Sequence, residues 1–282
     1  MIENKIFILG WSGYIGTALI SRLRSCGQAV TLIGRKDKSH IQFDLHNPDY
    51  GFISDLKSGD KFVFLSAISS PEYCADNYTL SYRVNVTNTI ALIKMLLDKG
   101  VEVLFASSDV VYGRTDKPVN EMSLINPQFA YAEMKSLVED EFKGFKGFKV
   151  MRLSYVWSLG DKFTSFLLKS YDEKSKVDVF HPFIRSIITL RDVIDFIERF
   201  LLVIQEFPKV VNLAGPEFLS RVQLVEAFSE IKAIEYAVVK PDHDFFMYRP
   251  DQILMESIYL DKVLNRNPFS VIDTIKTELL AN

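Results

Sequence analysis

A tyrosine and a lysine four residues apart, Tyr131 and Lys135, could work together in proton transfer. The pattern of residues 129–142 predicts a helix, which would bring their Cβ atoms to about 5–6 Å from each other. A free phenol has a pKa of about 10, and a nearby ammonium group lowers that pKa by stabilising the phenolate. Tyr131 could then give a proton to a developing alkoxide, or take one from an alcohol.

The chain contains a second pair with the same spacing, Tyr236 and Lys240. The local sequence pattern distinguishes the two pairs, because residues 237–239 are predicted to form a strand. In a strand, residues four apart share a face but lie about 13 Å from each other. Only Tyr131 and Lys135 are therefore expected to act as a unit.

A serine pair, Ser107 and Ser108, directly follows the predicted strand 103–105 and the alanine after it. In an open parallel sheet, ligands bind beyond the carboxyl ends of the strands. Ser108 could therefore donate a hydrogen bond to a substrate carbonyl oxygen, with Asp109 beside it as a further substrate contact. Taken alone, two serines at a strand end could also be turn formers.

Three glycines with the spacing Gly10-x-x-Gly13-x-x-Gly16 stand between the first predicted strand and a helical pattern. Such a loop lets the backbone approach a pyrophosphate, and the free N–H groups of the helix N-terminus then face the anion. We interpret it as a dinucleotide-binding loop. The predicted cofactor contacts in the loop are Gly10, Ser12, Gly13, Tyr14, Ile15 and Gly16.

The residues after the second predicted strand bear on which dinucleotide binds. An acidic residue there accepts from the adenosine 2′-hydroxyl and favours NAD(H), but this chain has Arg35 and Lys36. Arg35 could pair with a 2′-phosphate, which favours NADP(H). NAD(H) stays possible, since Arg35 and Lys36 could simply form a solvated loop end. Asp44, followed by Leu45, could lie by the adenine.

Short apolar runs alternate with helical patterns in the first part of the chain, which predicts βαβ units, an α/β fold and a parallel sheet. The runs are continuous, as in strands buried on both faces. The predicted strands are 6–9, 30–33, 62–65, 103–105, 150–153, 177–180, 210–213 and 237–239. The predicted helices are 14–25, 76–99, 129–142, 162–171, 192–205, 221–231 and 272–280.

Composition excludes several classes of protein. The chain has 282 residues, of which 48% are hydrophobic, so a disordered chain is excluded. A net charge of −3 gives no overall basic field for nucleic acid. Two cysteines are too few for a disulfide framework or a four-cysteine zinc site. The longest uncharged stretch, 6–21, is too short to span a membrane, and no signal peptide is predicted, so we expect a cytoplasmic protein.

Several motifs together resemble the extended short-chain dehydrogenase/reductase family. They are the glycine loop, Ser108-Asp109-Val-Val-Tyr112-Gly113, Asn126-Pro127 before Tyr131 and Lys135, and Arg152-Leu-Ser-Tyr-Val-Trp. The resemblance implies a Rossmann-like, doubly wound parallel sheet with a smaller C-terminal α/β lobe for a nucleotide-linked sugar. We expect the dinucleotide domain in residues 1–160, joined by a strand near 210–213, and the substrate lobe mainly in 161–282.

The resemblance also implies roles for single residues. Ser108 and Tyr131 would hold the sugar carbonyl, while Lys135 would bind the nicotinamide ribose. Ser66, Ala67 and Asn85 would lie along the cofactor. A homodimer through helices 76–99 and 129–142 is a further expectation of the resemblance.

Within the family, Asp109-Val110 stands where sugar dehydratases usually carry Asp-Glu, which argues against elimination. The segment from Ser107 to Tyr112 most resembles dTDP-4-dehydrorhamnose reductases. Arg185 and Arg249 could clamp a sugar-nucleotide diphosphate, although either could equally form a surface salt bridge. We therefore favour an NADP-dependent reductase of a nucleotide-linked 4-keto sugar. The alternatives are a nucleotide-sugar 4-epimerase with tightly bound NAD, and a non-catalytic relative that binds a dinucleotide and regulates a partner.

Overall fold

The computed structural model describes residues 4–202 and 207–281. The strands in chain order are β1 (Ile6–Leu9), β2 (Thr31–Gly34), β3 (Ile41–Gln42), β4 (Lys61–Phe64), β5 (Glu102–Ser108), β6 (Phe148–Leu153), β7 (Tyr155–Trp157), β8 (Val177–Phe180), β9 (Ile184–Thr189), β10 (Val210–Leu213), β11 (Phe218–Ser220), β12 (Tyr236–Val239) and β13 (Gln252–Ile253). The helices are α1 (Tyr14–Ser25), α2 (Pro71–Asp76), α3 (Tyr78–Tyr82), α4 (Thr89–Asp98), α5 (Ala130–Phe142), α6 (Lys162–Glu173), α7 (Leu190–Leu202), α8 (Arg221–Ser229), α9 (Leu260–Leu264) and α10 (Val271–Ala281).

The main sheet is parallel and has the order β10-β6-β5-β4-β1-β2-β3. The order reverses between β1 and β4, which is where open α/β sheets bind their ligands. The doubly wound parallel sheet predicted from the sequence is therefore confirmed. The sequence pattern missed β3, since a strand of two residues carries no periodicity.

Both faces of the main sheet are buried, which explains the continuous apolar runs. In β1, Ile6 and Ile8 belong to a core that includes Leu19 of α1 and Val193 of α7. Phe7 and Leu9 point to the other core, which contains side chains of α4 and α5. Phenylalanine rings on neighbouring strands also contact each other across the second face, as Phe7 and Phe62 do with centroids 6.4 Å apart.

Two smaller sheets lie outside the main sheet. In one, β9 pairs with β11, β13 and β7, and in the other β12 pairs with β8. A third apolar core, around Trp157, Leu167 and Phe228, packs beneath these strands. Gly215, which follows β10 of the main sheet, lies against β9 of a smaller sheet. A Cβ on Gly215 would stand 1.8 Å from the Ile187 carbonyl oxygen, so this close approach leaves no room for a side chain.

Two predicted helices differ from those observed. The single helix expected over 76–99 is broken at Asn77, whose ψ of 48° is not helical, and Arg83–Asn88 forms a π-helical segment before α4. The helix expected over 192–205 begins earlier, at Leu190. Residues 203–205 of that prediction lie outside the described residues. Across the described ranges, no helix is both long and apolar enough to cross a membrane.

Candidate active site

The glycine loop joins β1 to α1 in a turn that leaves no room for side chains. Gly10 has a φ of +88°, and a Cβ there would lie 2.9 Å from the Ser66 amide nitrogen. A Cβ on Gly16 would lie 2.6 Å from the Gly10 carbonyl oxygen. No side chain caps α1 at Gly13, so its first N–H groups face the cleft unpaired by the helix. The turn can therefore cradle an anion such as a pyrophosphate.

The loop forms one wall of a cleft at the carboxyl ends of β1, β2 and β4. Half of the predicted cofactor residues line it together, namely Gly10, Ser12, Arg35, Asp44, Leu45, Ser66 and Ala67. Asp44 accepts from the His46 backbone N–H at 3.0 Å. Trp11 also lines the cleft, although it was not predicted as a cofactor contact. Its indole nitrogen donates to Ser39 Oγ, and a Cβ on Gly34 would lie 3.5 Å from its ring. The cleft has the composition and position of an adenosine site.

Tyr14 and Ile15 contribute differently from the other loop residues. The Tyr14 hydroxyl donates to Ser158 Oγ at 2.6 Å, and burial raises the pKa of Tyr14 to about 12. The Ile15 side chain packs against the core below α1. Their side chains thus join the loop to Ser158 and to the core, while their backbone lies in the first turn of α1.

Lys135 lies buried on α5 between the sheet and Tyr131. Its ammonium donates to the Ala106 carbonyl oxygen at 2.7 Å and lies 4.5 Å from the Phe105 ring centroid. Its distance to the Tyr131 ring centroid is 5.7 Å. Burial lowers the pKa of Lys135 to about 8, against the opposing influence of Glu139. The lysine is thus anchored to β5, two residues before Ser108.

The expected lowering of the Tyr131 pKa is not observed. Burial raises the pKa of the phenol, and the charges of Cys74 and Asp109 act in the same direction. Lys135 does not offset this, because its ammonium is directed to the Ala106 carbonyl oxygen. Burial thus opposes the lowering that the spacing predicted, and the tuning of Tyr131 by Lys135 stays a prediction.

Ser108 ends β5, and Asp109 directly follows it. The Ser108 hydroxyl donates to the Asp109 carboxylate at 3.0 Å. Arg185 Nε lies 3.8 Å from the other Asp109 oxygen, and both side chains are less than 10% exposed. Burial raises the pKa of Asp109, and Arg185 offsets part of that rise. Asp109 therefore links the reacting end of the sheet to β9.

The two arginines predicted to clamp a diphosphate are held by other groups. Arg185 donates to the carbonyl oxygens of Ile184 and Pro250, at 2.8 and 2.5 Å, so its nitrogens are engaged within the protein. Its expected role in clamping a diphosphate stays a prediction. Arg249 pairs with Glu72 of α2 and stacks 4.6 Å from the Phe245 ring centroid, while its Nε is buried without a partner among the described residues.

Comparison with protein-family models gives a match over residues 6–214 to the model described as "NAD dependent epimerase/dehydratase family". The chain belongs to this family. A curated relative, UDP-glucuronic acid decarboxylase 1 of Danio rerio, is 27% identical over 154 residues, which are 49% of this chain. The match spans only 36% of that relative's length.

Several solved structures with a similar fold match nearly the whole chain. A dTDP-4-dehydrorhamnose reductase from Yersinia enterocolitica matches with a TM-score of 0.85 at 17% identity, covering 98% of this chain and 99% of that one. A UDP-glucuronic acid 4-epimerase from Bacillus cereus, in complex with UDP-glucuronic acid and NAD, matches with a TM-score of 0.80 at 20% identity over 98% of each chain. At these identities the likeness is one of fold.

Asn85 is bonded at both ends of its side-chain amide. It is 3% exposed, its carbonyl oxygen accepts from the Ile68 N–H, and its amide donates to the Ile68 carbonyl oxygen, both at 2.9 Å. Its place along the cofactor stays a prediction. Asn85 holds the loop after β4, which carries Ser66 and Ala67 into the cofactor cleft.

A buried ion pair behind the active site was not predicted. Arg152 of β6 donates from two nitrogens to Glu139, at 2.6 Å in the shortest contact, and both side chains are less than 10% exposed. Arg152 also donates to the Tyr112 hydroxyl at 2.7 Å, and Tyr112 donates to Asn212 of β10. Glu139 lies one helical turn after Lys135 on α5. The sequence signal that could have placed Glu139 near the site is its spacing, since Tyr131, Lys135 and Glu139 follow one another at intervals of four residues.

Proposed function

We propose that the protein is an NADP-dependent reductase of a nucleotide-linked 4-keto sugar. The observation that carries this proposal is the half-buried Tyr131 on α5, beside a lysine anchored to the strand that ends in Ser108. A carbonyl that is reduced needs an acid to protonate its oxygen, and a phenol, with an ordinary pKa of about 10, carries its proton at neutral pH. The proposal rests on that arrangement together with membership of the family.

The residues of the cleft fit a dinucleotide, since the glycine loop brings backbone close to backbone and leaves the α1 N–H groups free. The pyrophosphate would be held by Gly10, Ser12, Gly13 and Gly16. The adenosine would be held by the residues around Asp44. The cofactor would supply the hydride.

The protein's own residues would complete the reduction. Ser108 would turn its hydroxyl from Asp109 to the substrate carbonyl oxygen and polarise it. Tyr131 would then pass its proton to that oxygen as negative charge develops. Lys135, whose ammonium lies 5.7 Å from the Tyr131 ring centroid, would turn from the Ala106 carbonyl oxygen to stabilise the phenolate that remains.

The 4-epimerase would use the same residues but keep its cofactor tightly bound and return the hydride to the sugar. The resemblance of the segment from Ser107 to Tyr112 to dTDP-4-dehydrorhamnose reductases favours the reductase.

The function is tested by following absorbance at 340 nm with purified protein, NADPH or NADH, and a panel of nucleotide-linked 4-keto sugars. We expect a substrate-dependent loss of absorbance that is faster with NADPH. Release of NAD from heat-denatured protein, with no loss of absorbance for any pair, would instead support the epimerase. Cofactor binding without turnover, combined with an effect on a partner enzyme, would support the non-catalytic alternative.

The preference for NADPH should depend on Arg35. We expect Arg35→Met to raise the KM for NADPH by about 10- to 100-fold, because a hydrogen bond to a charged group contributes about 1.5–3 kcal/mol. The KM for NADH should stay unchanged, since NADH lacks the 2′-phosphate. Lys38→Met is a matched control, as this exposed lysine of the same loop does not line the cleft. An equal change for both cofactors would contradict the assignment.

A further inference from the structure

A buried carboxylate, Glu139, lies on the face of α5 that carries Tyr131 and Lys135. The three residues follow one another at intervals of four, so each lies about one helical turn from the next. Glu139 accepts from the Ser107 hydroxyl, while Lys135 donates to the carbonyl oxygen of Ala106, which precedes Ser107 in β5. The two side chains are therefore fixed to adjacent residues of one strand.

Three charged side chains meet at this place in the interior. Lys135, Glu139 and Arg152 are each less than 10% exposed. Arg152 of β6 donates to both carboxylate oxygens of Glu139, at 2.6 and 3.2 Å in two of these contacts. The negative charge of Glu139 also acts on Lys135, in the direction that favours the ammonium. One carboxylate thus stabilises two buried cations.

Lys135 is near other titratable groups on α2, on its own helix and after β5. Cys74 of α2 acts on it through its charge, and Tyr131 lies one turn away on α5. Burial raises the pKa of both the Cys74 thiol and the Tyr131 phenol, so each holds its proton at neutral pH. Asp109 acts on the phenol and is balanced by an arginine of β9. The acidic group that remains to balance the ammonium is Glu139.

We propose that Glu139 is a positioning residue, whose carboxylate keeps the Lys135 ammonium charged at its place beside β5. The inference rests on the proposed function, because it assigns Glu139 to the support of the lysine that would stabilise the Tyr131 phenolate. A buried ammonium tends to lose its proton unless an opposite charge lies nearby. Burial lowers the pKa of Lys135 to about 8, and Glu139 opposes that change. Without Glu139, the lysine would become neutral at a pH at which the wild-type lysine is still charged.

The inference is tested by measuring the pKa of Lys135 itself. Protein labelled with carbon-13 at the lysine Cε atoms is titrated by NMR, and Lys135 is assigned as the signal that Lys135→Met lacks. We expect a pKa of about 8 in the wild type. In Glu139→Gln it should be lower by about 1 or more, because an opposite charge nearby favours the ammonium by that amount. The new amide can still accept from Ser107, so the hydrogen bond to β5 is kept.

Arg152→Gln is the matched control, because it breaks the same ion pair from the other side. Both variants leave one buried charge without its partner, so both should lose stability to a similar extent. Arg152→Gln, however, leaves the carboxylate to the ammonium, and the pKa of Lys135 should stay at its wild-type value or rise. Disturbed packing alone would instead lower the pKa of Lys135 in both variants.

The double variant Glu139→Leu with Arg152→Met keeps the test valid if the single variants unfold. It removes both buried charges together, so its stability should be closer to that of the wild type. The pKa of Lys135 should still fall in the double variant, because the negative charge that acts on Lys135 has been removed. Unfolding midpoints of all the variants would be compared first.

Activity supplies a second readout that a merely structural role would not change. The reaction needs the charged lysine, so kcat/KM should fall as the pH rises through the pKa of Lys135. In Glu139→Gln that fall should begin at a lower pH, by the same amount as the pKa measured by NMR. At a pH well below both pKa values, the variant should approach the wild-type kcat/KM.

The outcomes separate this inference from the proposed function. An unchanged pKa of Lys135 in Glu139→Gln and in the double variant overturns the inference, whether or not a keto sugar is reduced. An equal fall in Arg152→Gln also overturns it. A lowered pKa with an unmoved pH profile overturns the positioning role, while the reductase stands. A lowered pKa, without turnover of any keto sugar by the wild type, supports the charge assignment and overturns the reductase.

Discussion

Tyr131→Phe is expected to lower kcat/KM for NADPH-dependent reduction by about 10²- to 10⁴-fold, the usual contribution of a positioned general acid. The variant keeps the ring that lies against Lys135 and removes only the hydroxyl, so packing should be preserved. The dissociation constant of NADPH should change by less than about threefold, because binding does not need the phenolic proton. Steady-state rates at 340 nm and NADPH fluorescence titration would measure the two quantities.

The chain provides a matched control for that variant. Tyr236→Phe removes the hydroxyl from the other tyrosine that precedes a lysine by four residues, and it should leave the activity unchanged because Tyr236 lies in β12. A Tyr131→Phe enzyme that keeps more than a tenth of the wild-type kcat/KM would rule out the phenol as the proton donor. Loss of NADPH binding together with activity would indicate a structural role instead.

Glu139→Ala is expected to lower the free energy of unfolding by about 3–5 kcal/mol, since it leaves Arg152 charged and buried without its partner. The pair lies in the interior, with side chains 8% and 7% exposed. Urea unfolding followed by circular dichroism would measure the effect. The double variant Glu139→Leu with Arg152→Met should recover much of the loss, because it removes both buried charges together.

The neighbouring residue supplies the control for the ion pair. Asp140 pairs with Lys143 at 3.1 Å on the solvent side of α5, where both side chains are more than 60% exposed. Asp140→Ala should change the free energy of unfolding by about 0.5 kcal/mol or less. If Glu139→Ala were as mild as Asp140→Ala, water or another group would have to neutralise Arg152.

Much of the main sheet could be predicted from the sequence, because strands buried on both faces leave continuous apolar runs such as 6–9. The glycine loop could be predicted equally well, since a glycine motif between a strand and a helix has few functions other than binding an anion. The smaller sheets were harder. Strands of two or three residues, such as β11 and β13, are defined by their partners and carry almost no pattern of their own.

The electrostatic state of the site could not be predicted from spacing. The spacing of four residues from Tyr131 to Lys135 predicted their proximity, but not that the ammonium would donate to the Ala106 carbonyl oxygen. The type of residue also left the burial of Arg185 undecided, because the same guanidinium can bind a phosphate or tie two elements together. Such outcomes depend on contacts between segments far apart in the chain.

The contact between Asp109 and Arg185 joins two parts of the chain that lie far apart in sequence. The cofactor loop, the proposed proton donor and its lysine all precede residue 153, whereas Arg185 lies in β9. Asp109 also accepts from Ser108, so a substitution in β9 can reach the proposed catalytic serine through this buried carboxylate. Under the proposed function, the later part of the chain would thus influence the chemistry as well as the choice of sugar.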